Sequence, residues 1–277
     1  MTKLNSRRRF IKNVLFSVLA APLARHLPIL STRQIKVRLE GRASNLAEEV
    51  VSFGLPLPFG FLNDSGNVTV LDQEGTELAT AVRSLEPWRI GGRDGSIRSL
   101  LIQFKADFSK QKQQQITVNF DGRRRRSGPK FVPVAETLID EQGLKGPRVL
   151  AVLPADWLCT SGVVGPQTPS ASSAEYSLYD RFVEKNFPGS LAYLDSQVYH
   201  EWLFDRTTCY YKMYVRNGES KYLEAAYHAA NFLRVHTKLD GPDAGIFTLK
   251  GPDLKYVYPR AMHIHYLLTG DERALAR

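Results

Sequence analysis

The stretch Tyr214-Val215-Arg216-Asn217-Gly218-Glu219-Ser220-Lys221-Tyr222-Leu223 returns as Tyr266-Leu267-Leu268-Thr269-Gly270-Asp271-Glu272-Arg273-Ala274-Leu275, each matched position displaced by 52 residues. Each copy reads as the end of a helix, a glycine that turns the chain, an acidic residue near the next N-terminus, and a helix running back. Self-similarity at such a period marks stacked helical hairpins. Outward from the repeat the helical signals continue. Asp205 is placed to cap a helix reaching about Arg216, which Gly218 ends. A second helix fits Lys221–His236, where Tyr222, Ala226, Ala229 and Leu233 share one face before Gly241-Pro242 stops it. Pro259 is a good first helical residue and opens a third helix through Leu268, closed by Gly270.

Upstream the period changes. Residues 34–153 carry strand signals, beginning with the alternating Ile35–Leu39. Val50–Phe53 leads into Gly54-Leu55-Pro56-Leu57-Pro58-Phe59-Gly60, whose prolines and glycines predict a corner or loop. Val68–Leu71 is closed by the turn Asp72-Gln73-Glu74-Gly75, and Thr76–Leu85 returns. Asp94-Gly95 is a hairpin signal before the apolar strand Ile97–Phe104. Ile116–Phe120 and Val149–Leu153 complete a set that suggests a β-sandwich or a partly open barrel. Residues 154–196 form a connector rich in Pro, Ser and Gly, with one short helical stretch around Tyr179–Lys185. The expected class is therefore α+β and multidomain, with a β-domain followed by helical hairpins over 197–277.

The 277 residues allow one large domain or two ordinary ones, and 43% hydrophobic against 23% charged residues argue against disorder. No apolar stretch is long enough to span a bilayer, so no stable membrane anchor is expected. Cys159 and Cys209 are too few for a disulfide scaffold or an all-cysteine metal site; they either pair or stay as buried thiols. The formal charge of +9 is not a general basic field. Six Lys/Arg and no acid lie in residues 1–30, the run Arg123 to Arg126 supplies four more, and the remainder sums to −1. That run, between Asp121-Gly122 and Ser127-Gly128-Pro129, is either a solvated hairpin tip or a grip for a polyanion such as an acidic glycan. No interleaved aromatic supports base stacking, so no nucleic-acid partner is expected. The chain has no G-x-S-x-G, no Walker loop and no clustered metal ligands. His263 and His265, two apart on a helix, face different ways and make no metal pair. No cofactor is evident, and a divalent cation stays open.

The first thirty residues read as an export signal. Ser6-Arg7-Arg8-Arg9-Phe10-Ile11-Lys12 is similar to the twin-arginine pattern S-R-R-x-F-L-K, with Arg7 and Arg8 as the paired arginines, and the apolar Val14–Leu23 follows. The resemblance implies passage through the twin-arginine translocase, and a periplasmic or secreted protein.

Phe53-Gly54-Leu55-Pro56-Leu57-Pro58-Phe59-Gly60, with Asp94-Gly95-Ser96-Ile97-Arg98-Ser99-Leu100-Leu101-Ile102-Gln103-Phe104, resembles the N-terminal RIFT-barrel domain of exo-rhamnogalacturonan lyase-like proteins. Leu158-Cys159-Thr160-Ser161-Gly162-Val163-Val164-Gly165-Pro166-Gln167 is similar to the strap that precedes their next domain, and the helical half resembles the opening hairpins of an α/α-toroid of the six-hairpin glycosidase type. The likeness covers the chain from about residue 34 onward and implies action on acidic polysaccharides.

In such toroids the ligand lies where inner-helix N-termini converge, which groups Asp205, Arg206, Tyr210 and Tyr211 with Tyr256, Tyr258, Arg260 and His263. A β-eliminating lyase must neutralise a uronate carboxylate, remove the proton alpha to it and protonate the leaving oxygen. Arg206 or Arg260 suits the first task; Tyr211, Tyr258 or His263 suits the others. His200, Glu201 and Trp202 offer a sugar-binding platform beside Asp205. Two other readings remain. A glycoside hydrolase would need two carboxylates across the bond, for which Glu201 and Asp205 are four apart. A carbohydrate-binding or structural module would need only the β-domain. Six repeats of 52 would need about 312 residues, whereas Asp205 to Arg277 offers 73. The third helix is thus expected to lack an outer partner, with its apolar face at Ala261, Ile264 and Leu268 having little to bury against. The chain reads as truncated, or a fragment, and inactive by itself, with elimination belonging to complete relatives.

Overall fold

Alternation of small and large, buried and exposed side chains sets the first strand. In β1 (Gln34–Gly41), Ile35, Val37 and Leu39 are buried while Gln34, Lys36 and Arg38 face out. The computed structural model describes residues 33–43, 46–90, 93–126, 128–141, 144–198, 205–249 and 254–275; the signal-like segment with Arg7 and Arg8 lies outside them, as do His200, Glu201 and Trp202. β1 pairs antiparallel with β6 (Gln113–Asn119), Val37 opposite Ile116, and on its other side with β9 (Val149–Val152). β3 (Thr69–Leu71) flanks β6, giving the order β3-β6-β1-β9. A second antiparallel sheet is ordered β2-β5-β4, from β2 (Glu48–Pro56), β5 (Arg93–Asp107) and β4 (Thr80–Ile90). β7 (Leu138–Glu141) and β8 (Leu144–Pro147) form a separate pair. Five helices follow, α1 (Ala155–Ser161), α2 (Ser177–Leu191), α3 (Arg206–Asn217), α4 (Ser220–Val235) and α5 (Pro259–Thr269), so the fold is mixed α+β with antiparallel sheets. Residues Thr32 to Arg277 form one contact unit.

Several local expectations change. Gly54-Leu55-Pro56 is not a corner but the buried end of β2, paired through Pro56 with Ser99. β2 is an edge strand, where a proline with no N–H forfeits nothing on the open side. Asp94-Gly95 lies inside β5 rather than at the turn, because β4 and β5 pair out to Ile90 opposite Arg93. Gly95 is instead needed where the register of β4 shifts: a Cβ there would stand 2.7 Å from the Trp88 carbonyl oxygen. The connector also holds more helix than expected. Pro154 opens α1 and Gly162, at φ 66°, closes it; α2 runs over 15 residues.

Helix α1 delivers Trp157 to the core, flat on Phe120 at 5.3 Å and edge-on to Phe61, with its indole N–H donating to the Pro56 carbonyl at 2.8 Å. Such an amphipathic ring fills volume and meets its one polar need. Tyr222, Ala226, Ala229 and Leu233 are all buried on α4.

The α5 face is the main correction. Ala261, Ile264 and Leu268 are buried, and α5 packs mainly on the second sheet while also meeting α3 and α4. Ser99 Oγ donates to the Leu267 carbonyl at 2.6 Å, and a Cβ on Gly54 would overlap that same oxygen and stand 2.5 Å from the Leu268 carbonyl carbon. The glycine is the slot into which the last turn of α5 fits.

Candidate functional site

Where α5 meets β4 and β5, a chain of side-chain contacts runs from His263 through Glu86 and Arg98 to Trp88. Tyr266 ties the helix to the strand, its hydroxyl donating to the Leu85 carbonyl at 3.1 Å. That sets His263, one turn earlier, against Glu86: Nε2 lies 2.5 Å from Oε2. Arg98 of β5 reaches the other carboxylate oxygen at 3.5 Å and stacks over the Trp88 ring at 4.8 Å. Trp88 is fixed by its own N–H, which donates to the Leu57 carbonyl at 3.0 Å, and half-exposed Phe59 meets its edge at 6.3 Å. Gly162 comes near the edge of the same indole, and two residues later the Val164 carbonyl accepts from Arg260 Nη2 at 2.7 Å. Arg260 precedes His263 by three on α5, so both project from neighbouring positions.

The arrangement has defined chemistry. With Nε2–H donating to Glu86, the His263 ring offers Nδ1 as a base, and Arg98 keeps the orienting carboxylate in place. The Arg98 Nε is buried with no hydrogen-bond partner among the described residues. Arg260 keeps donors beyond the one given to Val164. An aromatic face, a guanidinium and an oriented imidazole thus meet at one place, with Arg260 one turn before the imidazole on α5.

The other residues singled out in the sequence go elsewhere. Asp205 caps α3, accepting from the Thr208 N–H at 3.0 Å. Tyr258, beside it, is half-buried; burial first, then the charges of Asp205 and Tyr256, push its hydroxyl up to about 12. Arg206 donates to the Tyr193 carbonyl and stacks on that ring, lining a separate groove of about 450 Å³ with Phe182, Cys209, Tyr210 and Met213. Tyr256 is buried, and Tyr210 donates to Ser190 Oγ at 2.9 Å. Both cysteines are free thiols, Cys159 buried and Cys209 exposed, with burial pushing the Cys159 thiol up to about 11.

Tyr211 is fully buried and faces inward, its hydroxyl 2.5 Å from His265 Nδ1. Burial raises its pKa strongly, so it keeps its proton and donates; the ring proton then sits on Nε2, 3.6 Å from Asp271. Asp271 in turn receives Arg273 through two bonds of 2.9 and 2.8 Å. Burial pushes the Asp271 carboxyl up, but hydrogen bonds from Arg273 and His265 outweigh it and hold the group well below the carboxylate range. This network borders a cavity of about 210 Å³ that Tyr227 and Arg234 also line.

Sequence reasoning found Arg260 and His263 but missed Glu86, Trp88 and Arg98, which lie on strands more than 160 residues earlier and carry no motif. It also passed over His265, Asp271 and Arg273 as a unit, although Asp271 belongs to the repeat. Among the described residues, no group of three or more His, Cys, Asp or Glu side chains is placed to hold a metal ion, and no helix is long and apolar enough to cross a membrane. No protein-family model, curated protein or solved structure matches the chain.

Proposed function

We propose that the protein is an exported acidic-glycan-degrading protein of the exo-rhamnogalacturonan lyase-like type, acting by β-elimination at the surface formed by Trp88, Glu86, Arg98, Arg260 and His263. In this reading the sheets are a RIFT-barrel-like β-domain and α3 to α5 are the first hairpins of an α/α-toroid. Supporting the second point, interactions join residues about one period apart: the Tyr211 hydroxyl meets His265, and the Asp205 charge acts on Tyr258. The observation that carries the chemistry is the 2.5 Å His263–Glu86 contact set between Arg98 and Arg260.

The residues divide the work as follows. Arg260 pairs with the uronate carboxylate and takes up charge that develops there. His263 Nδ1 removes the proton on the carbon alpha to that carboxylate, and the freed electron pair forms a double bond to the next carbon. The bond from that carbon to the glycosidic oxygen breaks, and the leaving oxygen takes back the proton that His263 removed, so the imidazole ends the step neutral. Trp88 and Phe59 supply the flat faces on which sugar rings stack.

Incubating the protein, and beside it a longer relative with further hairpins, with uronate-bearing glycans tests this; turnover by the longer protein alone would match the inactivity expected of this stretch by itself. Elimination leaves an unsaturated uronate that absorbs in the near ultraviolet, and His263→Gln should lower its rate by about a hundredfold. New reducing ends without absorbance would identify a hydrolase, and binding without turnover a carbohydrate-binding module. Export is tested separately: Arg7→Lys with Arg8→Lys should strand a reporter fusion in the cytoplasm, and unchanged export would remove the twin-arginine proposal.

A further inference from the structure

The arginine run is solvent-exposed but held in place by bonds to Glu77, Thr80 and Ser65. Glu77 Oε1 accepts from the backbone N–H groups of both Arg125 and Arg126, at 2.8 and 3.1 Å. Those two backbone bonds come first among the causes that lower the Glu77 pKa. Arg124 is turned inward, donating to the carbonyls of Thr80 at 3.2 Å and Ser65 at 3.4 Å, and Arg126 Nη1 donates to the Glu77 carbonyl at 3.1 Å. Gly128 then lies so close to the backbone of Thr80 and Ala81 that a Cβ would overlap it. Arg123, Arg125 and Arg126 are exposed, and of these three Arg126 is the one whose side chain is bonded back, to Glu77. Beside them Arg83 stacks on half-exposed Phe131 at 5.5 Å, and all four arginines line a depression of about 500 Å³ with Phe131. Folding here concentrates like charge that could have been dispersed, and spends two arginines and a glutamate on holding it still. A fixed array of cations loses little conformational entropy on meeting a fixed array of anions.

We propose that the Arg123–Arg126 segment is a second, non-catalytic binding site, where Arg123 and Arg125 take successive carboxylates of a linear acidic polysaccharide. It rests on the acidic-glycan reading above and adds a contact for the polymer outside the His263 surface. A uronan carries a carboxylate on each residue and a sugar face that Phe131 can meet. A nucleic acid would call for several aromatics among the cations, and the segment has none between Asp121 and Lys130.

Binding of the full chain to sodium polygalacturonate, followed by calorimetry across a salt series, tests the site. Replacing Arg123→Gln with Arg125→Gln should weaken binding about tenfold and flatten its salt dependence, while Lys110→Gln with Lys112→Gln, which removes equal charge elsewhere, should change it less than about twofold. In the unsubstituted chain, the polymer should protect Arg123 and Arg125 from phenylglyoxal, read by mass spectrometry, so the result does not depend on a variant folding. Equal binding by the double variant, no protection, no binding of polygalacturonate, or preference for duplex DNA would each overturn the proposal. The catalytic reading fails independently: absence of near-ultraviolet product with this binding intact would remove elimination alone.

Discussion

The two copies of the repeated junction are alike in backbone and unlike in surroundings. Gly218 and Gly270 both adopt a left-handed conformation, at φ 65° and 74°, and both N–H groups close on a tyrosine carbonyl at 2.7 Å. After that they part. Glu219 is half-exposed and meets Lys221 at 3.0 Å across solvent, whereas Asp271 is 2% exposed and carries the His265 and Arg273 bonds. Gly218 is crowded, with the Ala155 nitrogen 3.2 Å and the Leu153 carbonyl oxygen 3.3 Å from where a Cβ would stand; Gly270 is tighter still, with Leu101 at 2.6 Å. One local sequence thus serves as a surface turn in one place and a buried anchor in the other. Local chemistry decides the shape, and burial decides what the shape is worth.

Substitutions at paired positions should separate the two contributions. The largest effect is expected from Asp271→Asn, which leaves Arg273 and the His265 N–H without their anion and should cost about 3 kcal/mol in urea unfolding, against about 0.5 kcal/mol or less for Glu219→Gln. Comparable losses at both sites would show that burial is not what distinguishes them. Gly270→Ala comes next, at about 3 kcal/mol, because the left-handed backbone and the Leu101 overlap add; Gly218→Ala, with the same backbone strain and a milder crowding against Leu153 and Ala155, should cost about 1–2 kcal/mol. The smallest effect is in pH. Asp271 has its folded pKa depressed, so its contribution is complete above the ordinary carboxylate range and fades as pH falls through the folded value. The gap between the parent and Asp271→Asn should therefore persist down to about pH 4 and narrow only in stronger acid. A gap that closes near neutrality would assign the effect to another group.

Helix ends were legible because their signals are local: Asp205, Gly218, Pro259 and Gly270 do at the termini what their own chemistry requires. Reading failed where a glycine answers to a distant neighbour. Gly95 looks like half of a hairpin signal but yields to the Trp88 carbonyl, and Gly54 looks like a corner but admits a helix from 213 residues later. The same limit governs the site. Arg260 and His263 could be placed by helical position, while Glu86, Trp88 and Arg98 join them only through the pairing of β4 with β5 and the docking of α5. Nothing in a strand's own pattern tells which helix will cross it.

Gly54 and Ser99 hold the last turn of α5, and the helix spans about 16 Å from there to Pro259. A rod gripped at one end magnifies a small tilt at the other, where Arg260 sits 2.7 Å from the strap and His263 2.5 Å from Glu86. If the proposed elimination holds, a mutational scan scored only by turnover will therefore rank Gly54 and Ser99 alongside His263. Scoring the same library for abundance as well will sort them, since a bad grip lowers both measures and a lost base lowers one.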